Sequence, residues 1–109
     1  MLGLLAGAVV AALLVVTPRV EADRLQQAER DAVRIQKAAR EWRRENGSGC
    51  PTLTQLVKDQ QLTRDSRTDD PWGDRFRVIC SEQDVSVSSA GRDQVPNTPD
   101  DIRVPRSRG

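Results

Sequence analysis

The run Leu2 to Val16, LGLLAGAVVAALLVV, carries no charge, and the chain after it is so polar that the two parts do not read as one globular core. With that run set aside, few large apolar side chains remain: Leu25, Val33, Ile35, Trp42, Leu53, Leu56, Val57, Leu62, Trp72, Phe76, Val78, Ile79 and a few valines. The 109 residues leave room for one folded domain. A core this thin usually needs a staple. Cys50 and Cys80 are the cysteines available for one. Closing a loop of about 30 residues stabilises by roughly 3–4 kcal/mol in the chain-entropy treatment, and such bonds belong to oxidising compartments. The alternative is a pair of unrelated buried thiols. A zinc site has no further cysteine and no histidine to build it.

As a helix, residues 2–17 would reach about 24 Å, short of a hydrocarbon core of about 30 Å. One reading is a signal-peptide core cut after Ala22, with Val20 at the −3 position; no Lys or Arg precedes it. The favoured reading is the first part of a longer helix retained in the mature protein. The adjoining residues 20–46, VEADRLQQAERDAVRIQKAAREWRREN, support it. Their Leu25, Ala28, Ala32, Ile35, Ala39 and Trp42 recur at steps of three and four, which marks one helical face. Charges fill the other face and include i,i+3 pairs such as Glu21 with Arg24 and Glu41 with Arg44. Arg40, Arg43 and Arg44 read as a solvated face. Asn46-Gly47 is the stop signal, and Pro18 marks a kink or a helix start. A narrow, alanine-rich stripe packs closely on something thin, such as a small sheet.

Beyond Gly47, Thr52 caps a short helix at residues 53–59, whose Leu53, Leu56 and Val57 would be buried with Leu62. RDSRTDDPWGDR, residues 64–75, is a loop dense in turn formers. RFRVICS and DVSVSS alternate with period two: Phe76, Val78 and Cys80 point one way in the first, and Val85 and Val87 point inward in the second. Glu82-Gln83 joins them as a tight hairpin. Trp72 reads as packing the turn onto the helix, and the tail RVPRSRG as a disordered end or an edge strand near residues 102–104. The fold class expected is α+β.

Net charge is +1, which gives no bulk field for nucleic acid or acidic lipid. Histidine is absent and no nucleophile is paired with a base, so no enzyme is expected. The residual signal is SAGRDQVPNTPDDI, residues 89–102. Asp93, Asp100 and Asp101 lie close together there, with Gly91 and two prolines bending the chain and no basic residue between Asp93 and Asp101. Folding these carboxylates together would cost energy unless a cation sat among them. Calcium, which takes six to eight oxygens, suits such a coil. The spacing does not fit an EF-hand, and ordinary turn aspartates are the alternative.

The motifs together resemble the major pseudopilin of the type II secretion system, within the type IV pilin-like family. DDPWGDRFRVIC followed by VSSAGRDQVPNTPDDI is similar to that family's Asp-Pro-Trp-Gly turn, Ser-x-Gly-x-Asp-Gly segment and closing Asp-Asp-Ile. The apolar segment, Pro18-Arg19, the alanine-rich helix ending in Glu-Asn-Gly, and Pro51-Thr52 extend the likeness over almost the whole chain. The resemblance implies a pilin-like fold, with a long N-terminal helix on a small antiparallel sheet and an irregular C-terminal calcium loop. Residues 1–19 would be a hydrophobic membrane and assembly helix, and residues 20–109 a periplasmic head. It implies calcium held by Asp93, Asp100 and Asp101, with backbone carbonyls near Ala90 and Val95. It further implies a single-pass subunit of the bacterial inner membrane that stacks through its N-terminal helix with copies of itself and other pseudopilins. Such a filament works with an inner-membrane secretion platform to export folded proteins. Nucleic acid is not an expected partner.

The sequence departs from the family at several places. Gln94 stands where the family commonly has glycine, and Leu2 to Val16 holds no assembly glutamate. The two cysteines are not a general family feature. The missing glutamate points to the alternative function, a non-polymerising, membrane-tethered periplasmic binding module with a pilin-like head.

Overall fold

Small side chains on one helical stripe set the spacing of the head. The computed structural model describes residues 18–106. Helix α1 spans Pro18–Asn46 and helix α2 Leu53–Lys58, followed by strands β1 (Arg77–Cys80), β2 (Val85–Ser89) and β3 (Ile102–Val104). Ala28, Ala32, Ile35, Ala38 and Ala39 are buried, and Trp42 packs at the margin of the same core. Leu25, the first member of the expected stripe, is 44% exposed and lies beside Ile102 of β3 at the edge of an open depression rather than in the core. The helix stops at Asn46, whose side-chain amide donates to the Trp42 carbonyl at 2.8 Å; Gly47 then turns with φ +84°.

The sheet has the order β1-β2-β3 and is antiparallel throughout. Its hairpin closes through Glu82-Gln83, with Ser81 N–H donating to the Asp84 carbonyl at 2.8 Å. In the central strand Val85 and Val87 are fully buried, and Val87 is flanked in register by Val78 and Val104. Phe76, Leu53, Leu56 and Leu62 complete the core. Each such side chain contributes about 1.5–3 kcal/mol through removal from water. The Thr52 hydroxyl accepts from Gln55 N–H at 3.0 Å and caps α2. Cys50 and Cys80 form a disulfide across 30 residues, tying the coil before α2 to the end of β1. The tail supplies an edge strand, β3.

Polar ties between helix and sheet leave no local signature in the sequence. The buried Gln36 amide donates to the Val85 carbonyl at 2.9 Å. Arg40, expected on a solvated face, grips Asp84 with two hydrogen bonds of 2.8 and 2.7 Å, and Arg43 donates to the Ser81 carbonyl at 2.8 Å. The hairpin tip folds back onto α1 and brings acceptors to these arginines. Arg44 does lie in solvent, 3.5 Å from Glu41, and the Glu21–Arg24 pair forms at 3.8 Å. Asp31 is buried on α1 and is approached by Arg34 at 3.5 Å and Arg67 at 3.8 Å. The apolar run Leu2 to Val16 lies outside the described residues. Among the described residues no helix is long and apolar enough to cross a membrane.

Candidate functional site

The segment joining β2 to β3 must reverse the chain within a dozen residues. Its means are two prolines and three left-handed residues: Gly91 (φ +77°), Gln94 (φ +57°) and Asn97 (φ +65°). Gln94 occupies a conformation that glycine adopts without strain. Its side-chain amide donates to the Trp72 carbonyl, which fixes it there.

Beneath the loop lies a polar hub centred on Asp70, which is buried. Its Oδ2 accepts from the Ser89 hydroxyl at 2.6 Å; its Oδ1 accepts from Trp72 N–H at 3.1 Å and Asp74 N–H at 2.9 Å. Ser89 Oγ in turn accepts from Gly91 N–H at 3.1 Å. The Asp-Pro-Trp-Gly turn is thereby bonded to the end of β2 and the start of the loop. Trp72 packs against the core and donates through Nε1 to Glu21 Oε1 at 3.2 Å, so the turn rests on α1 as expected.

Within the loop, Asp93 Oδ1 accepts from Val95 N–H at 3.0 Å and Oδ2 from the Thr98 hydroxyl at 2.6 Å. Asp101 Oδ2 accepts from Asn97 N–H at 2.8 Å, and Oδ1 from Thr98 N–H at 3.2 Å. The Thr98 hydroxyl bond, and after it the Val95 N–H, hold the Asp93 carboxyl below the usual range. Thr98 is the meeting point. Its Oγ1 lies 2.6 Å from Asp93 Oδ2, 3.1 Å from the Val95 carbonyl oxygen and 3.4 Å from Asp101 Oδ1. One hydroxyl proton cannot serve all three oxygens, so the cage has acceptor capacity in excess.

Three of the five expected ligand residues, Asp93, Val95 and Asp101, therefore converge. Asp100 is exposed, yet it lines the same surface depression as Asp93, Asp101, Arg92 and Glu21 of α1. Ala90 is buried at the end of β2. Among the described residues, no three acidic, histidine or cysteine side chains gather closely enough to hold a metal ion between them. The convergent donors are instead two carboxylates, a carbonyl and a hydroxyl. This all-oxygen set has the chemistry a hard cation takes, water completing its shell. Thr98 escapes sequence reading because a lone threonine carries no signal; its place between Asp93 and Asp101 is the one clue.

No family model matches the chain, and no curated protein matches it. A solved structure does: the major pseudopilin from the type 2 secretion system of enterohaemorrhagic Escherichia coli. It is 25% identical, with a TM-score of 0.60, over 83% of this chain and 92% of that one. The long helix on a three-stranded antiparallel sheet is thus a pilin-like α+β fold, and the resemblance carried by the motifs is matched in three dimensions.

Proposed function

We propose that this chain is a structural subunit of a type II secretion pseudopilus or a related type IV pilin-like filament. The observation that carries the reading is the likeness to the major pseudopilin over most of both chains. Residues 1–19 serve as the membrane and assembly helix, and residues 20–109 as a periplasmic head on a single-pass inner-membrane anchor. Copies of the chain and other pseudopilins pack through the N-terminal helices. The filament works with an inner-membrane platform in exporting folded proteins.

The C-terminal loop holds calcium in this reading. Asp93, Asp101 and the Val95 carbonyl, converging on Thr98, are the nearest donors; Asp100 and the Ala90 carbonyl complete the expected set. The ion supplies two positive charges to a coil whose carboxylates otherwise rely on hydrogen bonds. The chain's own residues hold the loop shape in readiness: Asp70 and Ser89 anchor its start, and Asp101 caps the Asn97–Thr98 turn. A ligand that binds only the folded state raises apparent stability with its concentration. The melting temperature of the chain in detergent should therefore rise with calcium and fall in chelator. If wild type and Asp101→Ala melt alike in both, the metal reading is lost.

Polymerisation has its own test. Cysteines placed along residues 5–15 should crosslink two copies in bacterial membranes. The absence of an acid in Leu2 to Val16 favours the second reading, a tethered binding module that does not polymerise. A chain that is present and membrane-bound but never crosslinks to itself supports that alternative.

A further inference from the structure

Arg77 belongs to β1, whereas Asp101 immediately precedes β3, and β2 lies between them. Even so, Arg77 Nη2 stands 3.9 Å from Asp101 Oδ2. The arginine side chain must therefore cross the face of β2 that is turned away from α1. Ser88 supplies an independent sign of that crossing. It is the β2 residue opposite Arg77 in register and alternates with the inward Val87, yet it is fully buried and its hydroxyl has no partner. Its in-register neighbours are Arg77 on one side and Arg103 on the other, and a serine on the outer face of a thin sheet is covered in this way when such stems lie over it.

We propose that Arg77 is the resident cation of the C-terminal loop, and that a divalent cation binds there by exchange, taking Asp101 from it. The inference rests on the calcium reading and adds what sets the affinity. At 3.9 Å the contact is too long for a hydrogen bond, so it is a coulombic pair. The Arg77 side chain is 42% exposed, so the pair is screened by solvent and weak, and water is at hand for the departing charge. Asp101 is only 12% exposed and both its oxygens already accept backbone N–H groups, so the carboxylate stays while its counter-charge changes. A guanidinium and a divalent ion on one carboxylate repel each other, which drives the exchange. When Arg77 swings away, Ser88 is uncovered and its hydroxyl gains a water partner; that offsets part of the lost contact. The strap between β1 and the loop is thus closed without the metal and open with it.

The test is calorimetric titration of calcium into the full chain in detergent, comparing wild type with Arg77→Met, which keeps the stem and removes the charge. Arg77→Met should bind calcium about three- to tenfold more tightly, as expected for loss of a partly screened competing charge. It should also melt lower than wild type in chelator. Equal or weaker binding overturns the exchange while leaving the calcium reading intact; if neither chain binds calcium, both fall. The wild-type chain gives a second readout should Arg77→Met not fold. The Arg77 Nε–Hε resonance should shift as calcium saturates the loop, and a resonance unmoved at saturation overturns the proposal.

Discussion

A Cβ built on Gly91 would lie 2.1 Å from the Asp100 carbonyl oxygen, on a backbone with φ +77°. The obstructing atom is main chain, so relief requires the two ends of the loop to part. Gly47 offers a control, since its φ is +84° but nothing lies within 4 Å of the added carbon. Gly47→Ala should cost about 1–2 kcal/mol for the left-handed conformation alone. Gly91→Ala should cost roughly twice that or more, because strain and collision add. Urea unfolding of both variants checks this; equal losses would mean that the Gly91–Asp100 approach is not a constraint on the fold.

At the scale of elements, the disulfide joins the coil before α2 to the edge strand β1. Replacing both cysteines by serine should lower stability by roughly 3–4 kcal/mol through the unfolded chain's regained freedom. Reductant should reproduce the loss in wild type and leave the variant unmoved; a variant as stable as wild type would show that the bridge constrains nothing. The elements themselves are largely legible in the sequence. Ala28, Ala32, Ile35 and Ala39 follow helical spacing, and Val85 and Val87 follow strand spacing, because burial on one face leaves a local pattern. Arg40 and Arg43 mislead because their partners lie some forty residues away, where only the folded hairpin brings them. Asp31 and Asp70 are buried acids, against the ordinary habit of carboxylates, and nothing beside them in the chain marks it. The candidate site shows the same division. Its aspartates are close in sequence and can be found there, whereas Thr98 and Arg77 join it through the turn geometry and the sheet order.

For the molecule as a whole, acid should act through a few carboxylates. The Arg40 hydrogen bonds, then the Val85 N–H, hold Asp84 at about 2, down from 3.8. Asp59 is lowered by the Gln55 and then the Trp42 side chain, and Asp93 by Thr98 and then Val95. Each of these groups takes a proton more readily in the unfolded chain than in the head. The stability they lend is complete above about pH 4 and is lost as the pH falls toward 2. The urea midpoint should therefore drop across that window. Asp84→Asn should start lower at neutral pH and fall less steeply; an unchanged slope would exclude Asp84 from the acid response. The bond to Arg40 has a mechanical side as well. Glu21 meets Trp72 near one end of α1, and Arg40 meets Asp84 toward the other, 19 residues on and about 28 Å along the axis. A rod pinned at two stations so far apart neither rolls on its axis nor slides over the sheet while both pins hold. Torque or thrust applied to α1 is then passed to the sheet as motion of a single body.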